Sequence, residues 1–318
     1  MEINLTKIQK AQKLIASYVK KTPLIRCYAL EEQLRTSARI FLKCDHLQRM
    51  NSFKVRGAFN VLLLLSAEEK KRGVVTRSAG NFASALAYAC HLLHIPATIV
   101  MPEKVPKAKL DLVTPFSPTI LFASSRAEEE KKVEELSQEK NLVPLSPYNH
   151  PNVIAGQGTA ALEIFEDLPS IQTFFCPLGG GGLMSGTAIA FKELNPTIQT
   201  IAVEPTGAND YFLSRQTGQK IRLNQVNTIA DGLVAPTVGE INYPLLNQTV
   251  DQVITVPDEA IIKAMHFLYK KAGMIVEPSG AASVAALMAQ EDLSGDVVCF
   301  ISGGNVQRDR FYQWIEAV

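Results

Sequence analysis

Apolar residues recur along the chain with two periods. In residues 7–20, Ile8, Ala11, Leu14, Ile15, Tyr18 and Val19 stand three or four apart, which predicts an amphipathic helix that Thr22-Pro23 stops. Val55, Ala58, Phe59, Leu62 and Leu63 predict another, opening at Lys54 with Asn51 or Ser52 as N-cap. Ser66-Ala67-Glu68-Glu69 has the form of a capping box, and Gly73 ends that short helix. Ile261, Ile262, Met265, Leu268 and Tyr269 mark a helix closed by Gly273. Residues 126–140 are mostly charged and read as a solvated helix with internal ion pairs.

Between the helices lie short β-rich runs. They predict strands at Ile40–Lys43, Val74–Thr76, Thr98–Met101, Ile120–Phe122, Thr173–Cys176, Ile201–Val203, Val253–Val256 and Val297–Ile301. Several are continuously apolar, as parallel strands covered on both faces are. Strands alternating with helices predict an α/β fold.

Composition narrows the functional classes. The 318 residues are 47% hydrophobic and 20% charged, which describes a globular protein of one large or two medium domains. A net charge of +1 argues against a nucleic-acid binder. The apolar run Val61–Leu65 is far too short to span a bilayer, and residues 1–20 show no export signal. The 5 cysteines form no C-x-x-C pair, which excludes a zinc ribbon or thioredoxin-type site and, with no signal, favours the cytoplasm. The 5 histidines lack metal-ligand spacing, and no G-x-S-x-G elbow is present.

Four segments place unusual residues where a strand should end, the position at which open α/β sheets bind ligands. Gly179-Gly180-Gly181-Gly182 precedes a helix and exposes backbone N–H groups, a cradle for a phosphate. It fits neither G-x-G-x-x-G nor a Walker A loop. Lys54, at a helix start, is either a surface lysine or an amine of lowered pKa suited to Schiff-base and general-base chemistry. Ser78-Ala79-Gly80-Asn81-Phe82 suits close approach of a carboxylate, and Ser302 offers a neutral hydrogen-bond partner.

Taken in order, Thr22-Pro23-Leu24, Ser52-Phe53-Lys54-Val55-Arg56-Gly57-Ala58, Ser78-Ala79-Gly80-Asn81, Val153-Ile154-Ala155-Gly156-Gln157-Gly158-Thr159, the glycine run, Glu204-Pro205, Ala230-Asp231-Gly232, Glu277-Pro278-Ser279-Gly280 and Ser302-Gly303-Gly304-Asn305 resemble the fold-type II (tryptophan synthase β-like) pyridoxal-phosphate enzymes, and within them the threonine/serine dehydratase and serine racemase branch. The resemblance implies two open-sheet α/β lobes with helices on both faces and pyridoxal phosphate in the cleft between them. Residues 1–69 and 147–318 would form the large lobe, and residues 70–146 the small mobile one on the substrate side. Lys54 would carry the cofactor as an imine and remove the substrate α-proton, with Phe53 against the ring. Gly179, Gly180, Gly181, Gly182 and Leu183 would bind the phosphate, Asn81 the ring hydroxyl and Ser302 the pyridine nitrogen, with Glu277 near the ring. Ser78, Ala79, Gly80, Asn81 and Phe82 would hold the substrate.

The racemases of this family resemble the chain but have serine where it has Ala79. The resemblance therefore implies a lyase: β-elimination from L-threonine or L-serine to 2-oxobutanoate or pyruvate and ammonia. Serine racemase and 3-hydroxyaspartate dehydratase are the alternatives. Phe82 stands where the family usually has histidine, which leaves the preferred hydroxy amino acid open. Glu204, the Ala208 carbonyl and Asp210 resemble a divalent-cation loop for Mg2+ or Ca2+. A homodimer or homotetramer is implied, with no membrane or nucleic-acid partner. The chain ends soon after Asn305, so the regulatory extension of biosynthetic threonine dehydratases is not expected.

Overall fold

The computed structural model describes residues 3–316. Its strands are β1 (Leu24–Arg26), β2 (Arg39–Cys44), β3 (Val74–Arg77), β4 (Ala97–Pro102), β5 (Thr119–Ala123), β6 (Val143–Pro144), β7 (Ile171–Pro177), β8 (Gln199–Pro205), β9 (Gln252–Val256) and β10 (Asp296–Ile301). They form a six-stranded sheet, β1-β2-β10-β7-β8-β9, and a four-stranded sheet, β5-β4-β3-β6. Every expected strand is present. All pairings are parallel except that of β1 with β2 at the large sheet's edge.

The continuous apolar runs are explained by burial on both sides. Phe174, Cys176, Val298 and Phe300 point into one apolar layer of the large sheet. Their neighbours Phe175, Val297, Cys299 and Ile301 point into the other. All five cysteines are buried and unpaired. β1 and β6 were not expected, because 3 and 2 residues show no periodicity to read.

The first helix differs from its expected range. It begins at Leu5, where Asn4 accepts the Lys7 N–H at 3.1 Å, and it ends at Ile15, well short of residue 20. Tyr18 and Val19 still pack inward, and Tyr18 stacks on Phe59 with ring centroids 4.8 Å apart. Tertiary contact has overridden the helical period where Ser17, Tyr18 and Val19 have weak helix propensity. The remaining helix signals hold. Ser66 and Glu69 form the reciprocal capping box, Gly73 and Gly273 adopt positive φ, and i,i+4 ion pairs lace Arg126–Glu139.

The Lys54–Leu63 helix has Phe53, not Asn51 or Ser52, at its N-cap position. Ser52 is extended because it bridges to Gly303, and its hydroxyl accepts the Lys54 N–H only distantly, at 3.4 Å. Beneath this first turn the fully buried Arg56 donates to Asp45 (2.7 and 2.9 Å) and to Glu163 (2.6 and 2.9 Å). Buried Lys43 donates to Glu163 at 2.6 Å and to the Thr22 carbonyl at 2.7 Å. No helix among the described residues is long and apolar enough to cross a membrane.

Candidate active site

The carboxyl ends of β3, β7 and β10 open on one cavity of about 310 Å³. Phe53, Lys54, Ser78, Ala79, Gly80, Asn81, Phe82, Gly179, Gly180, Gly181, Gly182, Leu183, Glu277 and Ser302 all line it. The fold thus gathers every residue expected at the cofactor and substrate positions.

The glycine run lies between β7 and the Gly182–Leu194 helix. Gly181, the N-cap residue, sits at φ +96°, a left-handed conformation that glycine adopts freely, and no side chain caps the helix. The first-turn N–H groups are therefore left for a ligand. At Gly180 the Tyr148 ring comes so close that a Cβ would lie 2.3 Å from it.

Across the cavity, the Lys54 amine donates to the Pro147 carbonyl at 3.1 Å and sits 4.9 Å from the Phe53 ring centroid. Burial lowers its pKa to about 8, opposed by the Glu277 charge. Lys54 is therefore no ordinary surface lysine. Burial first, and then the Asp231 charge, push the Glu277 carboxyl up to about 8. Glu277 accepts the Asn81 amide at 2.6 Å, and Asn305 donates to the Asn81 oxygen at 2.8 Å. Buried Ser302 donates weakly to the Ser279 carbonyl at 3.3 Å, and its own carbonyl accepts the Phe53 N–H at 3.2 Å. At Gly80 nothing approaches the Cβ direction, so that backbone faces open space. The Phe82 ring, by contrast, is buried among Val55, Phe59 and Leu86.

Sequence reasoning gave no role to Arg77, Lys109, Arg126, Tyr148 or Asp231, which also line the cavity. Lys109 and Asp231 form an ion pair at 2.5 Å. Arg126 opens the helix read as merely solvated. It pairs with Glu130 at 3.2 Å, and Arg77 pairs with Glu129 at 3.1 Å. A charge-rich stretch conceals one residue that faces a cleft.

Glu204 and Asp210 lie apart from this cavity. Glu204 accepts the N–H groups of Tyr211 (3.1 Å) and Phe212 (2.7 Å), and Asp210 accepts that of Val238 (2.7 Å). Burial raises both carboxyls, Asp210 to about 7, and the Asp210 charge raises Glu204 further. Buried Asp210 Oδ1 has no partner among the described residues. No group of three or more His, Cys, Asp or Glu gathers for a metal among the described residues. Two carboxylates with one orphaned oxygen nevertheless fit a hard cation completed by carbonyl and water.

An amine of lowered pKa and a glycine run at a helix N-terminus line one cavity of an α/β fold, an arrangement suited to an anionic, carbonyl-bearing ligand. The chain belongs to the pyridoxal-phosphate dependent enzyme family, whose model matches residues 15–303. It is 38% identical over 304 residues to the L-threo-3-hydroxyaspartate ammonia-lyase of Saccharomyces cerevisiae, covering 95% of this chain and 93% of that one. It is 38% identical over 306 residues to the L-threonine ammonia-lyase of Thermotoga maritima, covering 96% and 76%. The maize serine racemase structure superposes with a TM-score of 0.94 at 37% identity, covering 100% of this chain and 98% of that one. The chain is thus a pyridoxal-phosphate dependent enzyme of the ammonia-lyase and racemase group.

Proposed function

We propose that the protein eliminates the β-hydroxyl of L-threonine or L-serine, giving 2-oxobutanoate or pyruvate and ammonia. The observation that carries this reading is the Lys54 amine in the wall of the cavity that the 78–82 segment also lines, where Ala79 offers no hydroxyl. When bound, pyridoxal phosphate supplies an aldehyde for amines and a ring that accepts negative charge from the substrate α-carbon. Gly179–Gly182 and Leu183 would hold its phosphate, and Asn81, fixed by Glu277 and Asn305, its ring hydroxyl. The Ser302 hydroxyl, unlike a carboxylate, does not favour a protonated ring nitrogen, which suits prompt loss of a β-substituent. The backbone through Ser78–Phe82 binds the substrate carboxylate, and Lys54 Nζ takes the Cα proton. Residues 70–146 would close over the substrate and exclude water. A phosphate-binding protein without catalysis would not need an amine at position 54.

A second reading, 3-hydroxyaspartate as substrate, is favoured by Arg77 and Arg126 in the cavity wall, which would have to exchange their Glu129 and Glu130 partners for a second substrate carboxylate. Steady-state 2-oxo acid production on L-threonine, L-serine and L-threo-3-hydroxyaspartate ranks the readings. Turnover of none of them rejects the elimination. Ala79→Ser is expected to raise D-serine formation from L-serine several-fold on chiral chromatography. No increase would remove the argument from the missing hydroxyl.

We also propose that Glu204, Ala208 and Asp210 hold Mg2+ or Ca2+. Either ion is expected to raise the Tm of the wild type, and the rise should vanish in Asp210→Asn. An equal rise in the variant places the ion elsewhere.

A further inference from the structure

The phosphate cradle has an anchor outside the cavity. Asn242 is fully buried, and its Nδ2 donates to the carbonyls of Gly180 and Tyr148, both at 3.0 Å. Both partners are acceptors, so the amide nitrogen must face them, and both of its hydrogens are used. The Gly180 carbonyl also accepts the Gly239 N–H at 3.0 Å. Neither Gly239 nor Asn242 lines the cavity, so the Gly180 carbonyl is held away from it. Across a trans peptide the next N–H points the opposite way. Fixing this carbonyl therefore turns the Gly181 N–H towards the cavity. Space here is closed: a Cβ on Gly181 would lie 2.8 Å from Asn242 Cβ, and one on Gly239 would lie 2.7 Å from Asn242 Nδ2.

We infer that Asn242 is a positioning residue that aims the glycine run at the cofactor phosphate and clamps Tyr148 against Gly180. This rests on the pyridoxal-phosphate reading of the site. Removing the amide donor takes from the Tyr148 carbonyl its bond to Asn242 and leaves the Gly180 carbonyl with the Gly239 N–H alone, which loosens the Gly180–Gly181 peptide, so affinity for the phosphate should fall while the Lys54 amine is untouched. The test compares equilibrium binding of pyridoxal phosphate and of phosphate-free pyridoxal to the apoprotein, read by absorbance. Asn242→Asp and Asn242→Ala are expected to weaken pyridoxal phosphate on the order of tenfold or more and pyridoxal hardly at all. Asn242→Ser, which keeps one hydroxyl donor, should fall between them and the wild type. Equal weakening of both ligands would show a general structural role and overturn the inference, as would unchanged binding of both. A wild type that binds the two aldehydes equally would instead overturn the cradle itself, whatever the variants do.

Discussion

Lys54→Ala is expected to abolish 2-oxo acid formation, with a loss of at least about 10³-fold, and to leave the protein without imine absorbance once unbound pyridoxal phosphate has been removed. On the proposed reading the same side chain serves as carbonyl trap and as base, and the other lysine lining the cavity, Lys109, is tied to Asp231. A variant that keeps the cofactor absorbance would place the imine elsewhere. The pH dependence follows from the amine's surroundings. Burial disfavours the ammonium and lowers its pKa from 10.5 to about 8, so the reactive neutral form grows as pH rises through that value. At pH 7 roughly one amine in ten is neutral, against roughly one in three thousand for an exposed lysine. Cofactor capture by the apoprotein should therefore speed up about tenfold per pH unit below 8 and level off above it. A rate that still climbs about tenfold per unit between pH 8.5 and 10, as an exposed lysine's would, contradicts the lowered pKa.

Arg56→Met is expected to be the most destabilising single change near the site. Arg56 has no exposed surface and is held between two buried carboxylates, Asp45 and Glu163. Replacing it leaves Asp45 with Thr22 and Glu163 with Lys43, a stranded negative charge that costs about 3–5 kcal/mol. Thermal unfolding should show Tm falling on the order of 5–10 °C. Burial alone would raise the Asp45 carboxyl, but the Arg56 charge holds it below its usual range. That contribution is present above the unfolded pKa of 3.8 and is lost as pH falls through the lower folded value, so the gap between wild type and variant should narrow below about pH 4. An unchanged Tm at pH 7 would mean that the network does not hold the turn carrying Lys54.

Much of this was readable from residue order alone. β7 and β10 announce themselves because strands buried on both faces are apolar throughout, and the glycines, Lys54 and Ser302 sit at strand or helix ends. The hidden part has two physical causes. β1 and β6 carry too few residues to show a period, and the helix from Leu5 ends at Ile15 because Tyr18 finds Phe59, a partner remote in sequence. Tyr148, Asp231, Arg77 and Arg126 reach the cavity only through tertiary placement. Asn242 belongs with them: an isolated asparagine gives no hint that its amide will bridge two carbonyls 62 and 94 residues away.

The placement of sulfur has a practical consequence. Burial raises the pKa of all five cysteines, Cys44 and Cys90 to about 12, and only the thiolate attacks oxidants or alkylating agents. Maleimides have no ready thiol target among the described residues. A carbonyl reagent directed at Lys54, the cavity amine of lowered pKa, is a better-founded covalent label for the native protein than a thiol reagent.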